Sequence, residues 1–67
     1  VKAPEIVVIE RELLSDGVVE LRQFGRRWSV ARMFSSGEIP DIHHDLLKKD
    51  AYDIYTEYLM NDVMELS

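Results

Sequence analysis

Gly17 and Gly25 fall eight residues apart, and the stretch around them, VVELRQFGRRWSVARMF from Val18 to Phe34, alternates in character. Ser15-Asp16-Gly17 and Gly25-Arg26 are turn signals. The segments they separate are rich in β-branched and aromatic residues. Turns this close together allow little but neighbouring antiparallel strands. The expectation is three strands over about 5–14, 18–24 and 27–34.

Strand register decides which side chains share a face. For the first hairpin a two-residue Asp16-Gly17 turn sets Leu14 opposite Val19 and Glu12 opposite Leu21. Glu10 and Glu12 then share a face with Val19 and Leu21. A three-residue loop, with Gly17 supplying the positive φ, sets Leu13 opposite Val19 and Arg11 opposite Leu21. Val7, Ile9, Leu13, Val19 and Leu21 then gather on one face, with Arg11 its one charge. This is the register expected, although it sets Glu12 against Glu20. In the second hairpin Gly25 occupies the first central position, as a type II′ turn requires. Gln23 then faces Trp28, Leu21 faces Val30 and Val19 faces Arg32. The apolar face continues through Trp28, Val30 and Phe34, and the other face carries Glu20, Arg22, Phe24, Arg27, Ser29 and Ala31.

Residues 35–41, SSGEIPD, read as a loop, and Pro40 keeps Ile39 out of helical geometry. A helical region follows over about 42–66, with Asp41 as its candidate N-cap. The apolar phase shifts near Lys48-Lys49. That favours a short turn over His43 to Lys48 and a main helix from about Asp50. On a helical wheel Ala51, Tyr52, Tyr55, Tyr58, Leu59, Val63 and Leu66 fall within about 140° of one another, the face expected to meet the sheet. The fold class expected is α+β: a three-stranded antiparallel β-meander with a C-terminal α-helix packed on one face, in a single small domain over 1–67.

A domain of 67 residues has a thin stability margin, since it buries only about 60% of the surface its unfolded chain exposes. No cysteine is present to add a disulfide or a thiolate metal site. No apolar run approaches the roughly 20 residues that span a bilayer, and VKAPEIVV lacks a signal-peptide layout. These features together point to a cytoplasmic protein. Net charge is −5, which disfavours a general nucleic-acid coat. The charge is also divided. Residues 1–36 hold six basic side chains against five acidic ones, and residues 37–67 hold two lysines against eight acids. The molecule is electrically two-ended.

Chemistry-bearing patterns are sparse. Phosphate-cradling glycine loops, paired catalytic carboxylates and Ser-His-Asp arrangements are absent, so no catalytic, cofactor or metal residue is nominated. His43 and His44 are adjacent, and neighbouring helical side chains diverge by about 100°, so they do not share an ion. Asp62 lies within the apolar sector and needs a partner, for which Arg11 or Arg32 is the expectation. Met60 and Met64 lie outside that sector, near Asp53 and Glu57, and suit an adaptable contact surface or a homodimer. Arg22, Arg26, Arg27 and Arg32, interleaved with Phe24 and Trp28, form the basic-aromatic cluster of the chain. Arginine and aromatic residues serve both protein hot spots and nucleic-acid faces.

Three antiparallel strands followed by one packed helix resembles the plant ethylene-response DNA-binding domains and the arm-binding domains of tyrosine integrases. The resemblance is one of topology and hairpin composition over Val18 to Tyr58. It implies a nucleic-acid face opposite the helix, made of Arg22, Phe24, Arg27 and Ser29, with Arg26 at the tip. The residues themselves point first to a small acidic, non-enzymatic module that binds a protein partner. Arg22, Arg26, Arg27, Trp28, Asp53, Glu57, Met60 and Met64 are the candidate contact residues. Nucleic-acid binding through the arginine-rich hairpin is the alternative. No membrane, cofactor or small-molecule substrate is expected.

Overall fold

The computed structural model describes the backbone of residues 5–66 and the side chains of residues 5–64. The chain forms β1 (Ile6–Leu14), β2 (Gly17–Phe24), β3 (Arg27–Phe34), β4 (Asp41–Leu46) and α1 (Lys48–Leu66). The strands make one antiparallel sheet in sequence order, and the helix crosses one of its faces. The α+β class and the C-terminal covering helix are as the sequence implies. The strand count is not, because the described residues form a sheet of four strands.

The fourth strand takes residues expected to begin the helix. Asp41 is its first residue rather than a helix cap, and α1 starts at Lys48 without a preceding helical turn over 43–48. Tertiary pairing overrides the local pattern here. A helix from residue 42 would leave the outer backbone groups of β3 without partners; β4 supplies them, setting Asp41 opposite Arg32, Ala31 opposite Ile42 and Val30 opposite His43. A bulge follows, where Asp45 adopts a φ of 53°, and Leu46 then faces Trp28.

The β2–β3 register is the expected one, pairing Gln23 with Trp28, Leu21 with Val30 and Val19 with Arg32. Gly25 has a φ of 62°, and Arg26 needs no positive φ, consistent with the type II′ turn. The β1–β2 register differs from both alternatives drawn from the sequence. Ser15-Asp16 is a two-residue loop with Leu14 opposite Gly17, so Glu12 faces Val19, Arg11 faces Glu20 and Glu10 faces Leu21. A bulge between Val8 and Glu10 then resets the pairing. Glu10 and Glu12 therefore lie on the helix side, and Arg11 and Leu13 on the open side. Minimising charge on the helix side predicts the opposite parity. The charges carry little penalty there because α1 packs mainly over β2 and β3, so the acids on β1 stay in water.

The core is small. Val19, Leu21, Val30, Ala51 and Tyr55 are buried, ringed by Leu14, Trp28, Leu46, Tyr52, Ile54, Tyr58 and Leu59. Ala51 is wholly buried, and its small side chain lets the helix approach the sheet closely. Each fully buried Leu or Val contributes about 1.5–3 kcal/mol. Val63, expected on the covered face, is exposed, and Leu66 lies outside the described side chains.

Arg32 is a buried charge with its partners supplied. Its guanidinium crosses Gly17, donates to the Met33 carbonyl oxygen and the Asp16 carboxylate, and lies 4.5 Å from the centre of the Phe34 ring. Asp62 does not form the expected ion pair with Arg11 or Arg32. It accepts from the Ser15 hydroxyl at 2.6 Å and the Ser15 backbone N–H at 3.2 Å, tying the end of α1 to the first turn.

Candidate interaction surfaces

Three surfaces emerge from this arrangement. The first is the sheet face opposite α1. Alternation places Arg11, Glu20, Arg22, Phe24, Arg27, Ser29, Ile42 and His44 there. Glu20 sits between two arginines. Arg22 Nε donates to Oε1 at 2.8 Å, and Arg11 Nε lies 3.3 Å from Oε2. With the Glu20 side chain only 12% exposed, these pairs are screened less than ordinary surface pairs. Two of the face's arginines are thus held by a carboxylate. Arg26 and Arg27 stand exposed at the hairpin tip, without ion pairs among the described residues. Beside them a shallow hollow of about 250 Å³ is lined by Ile6, Phe24, Arg27, Ile42 and His44, among others.

Trp28 borders this hollow, but its ring does not join that face. It points to the helix side, half-buried, with its ring centre 5.7 Å from that of Tyr52 and Lys48 Nζ 5.8 Å from its own. Arg32 is likewise committed to the interior. The cluster Arg22, Arg26, Arg27, Arg32, Phe24 and Trp28, continuous in sequence, is therefore split between the two faces.

The second surface is the outer side of α1. Asp53, Glu57, Met60 and Met64 recur at helical spacing, away from the sheet, and all four are exposed. Met60, Val63 and Met64 are 59%, 65% and 69% exposed. With Leu59 they border an apolar depression of about 260 Å³. Expected contact residues Asp53, Glu57, Met60 and Met64 thus share one exposed stripe. The acids on it lie at its N-terminal end and the methionines toward its C-terminal end.

The third surface has no counterpart in the sequence pattern. Between β1 and α1 runs a groove lined by Glu10, Arg11, Glu12, Tyr55 and Leu59. Leu59 also borders the methionine depression, so the two are neighbours across that side chain. Burial first, then the Glu10 and Glu12 carboxylates, pushes the Tyr55 phenol above its usual 10.0. Burial, with Asp41 and Glu57 adding and Arg32 opposing, does the same to Tyr58.

His43 and His44 lie on β4 and not in the expected helical turn, so strand alternation and not helical spacing separates them. His43 faces α1, where Nε2 lies 3.0 Å from the Tyr58 hydroxyl, and His44 lies on the open face. Among the described residues no three His, Asp or Glu side chains gather where a metal ion could sit. No described helix is long and apolar enough to cross a membrane. Comparison with known protein families, curated proteins and solved structures returns no match, so the surfaces are read from their own geometry.

Proposed function

We propose that the chain is a small, non-enzymatic protein-interaction module, acting as an accessory regulator or inhibitor of a protein partner. The observation that carries this reading is the exposed apolar depression of Leu59, Met60, Val63 and Met64 on a helix whose outer stripe also holds Asp53 and Glu57. Methionines adapt to varied surfaces, and exposed apolar patches with a polar rim mark contact sites. A partner with a basic rim around an apolar centre complements this stripe. A homodimer through the same methionines is the variant in which a second copy fills the patch.

The open sheet face supports a second reading. Arg26 and Arg27 are exposed at the tip, and the sheet separates them from the acidic helix. A phosphate backbone is the ligand they would take.

The test is affinity capture from source-cell extract with wild type, Met60→Asp and Arg26→Ala/Arg27→Ala, each checked for unchanged circular dichroism. A discrete partner retained by the arginine variant and lost by Met60→Asp is the expected result. Sedimentation of the purified wild type asks whether that partner is a second copy. The reading fails if the protein instead binds mixed duplex DNA or RNA at low salt, with affinity that falls steeply as salt rises and disappears in Arg26→Ala/Arg27→Ala.

A further inference from the structure

We infer that the outer edge of β1 receives an extended segment of a partner protein carrying basic residues two positions apart. The inference deepens the protein-binding reading by naming what one class of partner must contain.

β1 is an open edge of unusual length. It has nine residues, all exposed except the half-buried Leu14, and among the described residues no strand pairs with its outer side. Its backbone directions follow from one bond. The Ser35 N–H donates to the Asp16 carbonyl at 2.8 Å, making Asp16 and Ser35 a bonded pair. Antiparallel pairs alternate between bonded and non-bonded. Val18, Glu20, Arg22 and Phe24 therefore bond toward β3, and Gly17, Val19 and Leu21 bond toward Leu14, Glu12 and Glu10 of β1. Arg11 and Leu13 are left with N–H and C=O groups pointing away from the sheet. Leu13 is 78% exposed, and Ile6, Val7 and Val8 are exposed to a lesser degree, at 62%, 51% and 48%.

Edge strands are usually blunted, and the other edge of this sheet is. β4 has six residues, with Pro40 just before it and a bulge at Asp45 in left-handed geometry. β1 has only its bulge near Ile9 and the central Glu10-Arg11-Glu12.

Those charges select the occupant. Glu10 and Glu12 both project to the helix side beside Tyr55 and Leu59, and neither forms an ion pair among the described residues. A second copy fits badly. The two-fold register that pairs the whole strand sets Glu10 against Glu10, and the next toward the C-terminus sets Glu10 against Glu12 and Arg11 against Arg11. The next toward the N-terminus avoids like charges but centres on the bulged Ile9, where regular pairing is interrupted. Like charges directly opposite destabilise a strand pair. An added strand with Lys or Arg opposite both Glu10 and Glu12 and an apolar residue opposite Arg11 makes the carboxylate pairs attractive and removes the arginine repulsion. Its main chain takes the free groups of Arg11 and Leu13, the mode by which extended peptides extend a sheet.

The test uses the full chain, isotope-labelled, titrated with an acetylated hexapeptide of alternating lysine and valine and followed by amide chemical shifts. The largest changes are expected at Arg11 and Leu13, with millimolar affinity. Glu10→Gln/Glu12→Gln weakens binding by about tenfold. Leu13→Pro removes an outward N–H and no internal bond, so it abolishes binding while the remaining amide shifts keep their positions. The inference is overturned if a glutamate–valine hexapeptide binds equally well, if the changes fall on the open face or α1, or if Leu13→Pro has no effect. It is also overturned if the protein alone sediments as a dimer with the Arg11 and Leu13 amides protected from exchange. Failure at β1 with a partner still captured through Met60 removes this inference and leaves the protein-binding reading intact.

Discussion

Replacing Asp62 with alanine tests the contact that pins α1 to the first turn. The Ser15 hydroxyl donates to Asp62 Oδ1 at 2.6 Å, and the Ser15 N–H divides between the two carboxylate oxygens at 3.2 and 3.3 Å. Hydrogen bonds to charged groups contribute about 1.5–3 kcal/mol in mutational series. Solvent exposure at this site reduces the hydroxyl bond to about 1 kcal/mol and the stretched amide bond to about 0.5 kcal/mol. Removing an acid near a helix C-terminus returns about 0.3–0.5 kcal/mol. The net loss for Asp62→Ala is about 1 kcal/mol, which lowers Tm by roughly 4–8 °C in a domain this small. Urea unfolding monitored by circular dichroism measures it. A double-mutant cycle then assigns the cause: Asp62→Ala and Ser15→Ala couple by about 0.5–1 kcal/mol, whereas Asp62→Ala and Arg32→Met add within about 0.5 kcal/mol. Strong coupling to Arg32 with additivity at Ser15 would restore the ion pair expected from the sequence and refute the contact described here.

Two further outcomes follow from the same packing. A Cβ at Gly17 collides with the Met33 carbonyl oxygen and approaches Arg32 Nη1 to 2.7 Å, whereas one at Gly37 meets nothing within 4 Å. Gly17→Ala therefore costs about 3 kcal/mol, and Gly37→Ala, strained only by its φ of 86°, costs about 1 kcal/mol; equal losses in urea would contradict the packing of Arg32 over Gly17. In alkali, the raised Tyr55 and Tyr58 values mean that unfolded tyrosines lose their protons first. The stability they contribute is full below about pH 10 and is lost as pH rises through the folded values. Phenolate absorbance should show Tyr55 titrating lower in Glu10→Gln/Glu12→Gln than in wild type, and an unchanged titration would remove those carboxylates from its surroundings.

Much of the architecture was legible without coordinates. Gly25 with its flanking alternation determines the second hairpin to the residue, because a two-residue turn leaves the pairing of Leu21 with Val30 no freedom. The spacing of Ala51, Tyr55 and Tyr58 likewise identifies the helix face that meets Val19, Leu21 and Val30. The exposed stripe of Asp53, Glu57, Met60 and Met64 follows from the same wheel. The apolar run Ile6 to Ile9 also carried a signal, since apolar residues on both faces of a strand require cover that one helix does not supply.

Other features belong to the tertiary structure alone. Asp41 to Leu46 has early acids like a helix start, and only the unpaired outer edge of β3 makes it a strand. The parity of β1 depends on where α1 lies. A helix centred over β2 and β3 leaves Glu10 and Glu12 hydrated, so their charge does not decide which face they take. Local pattern determines an element when burial on one side is certain. Where two placements both leave the charges in water, as on β1, the choice passes to the backbone bonds and to the neighbour that packs above.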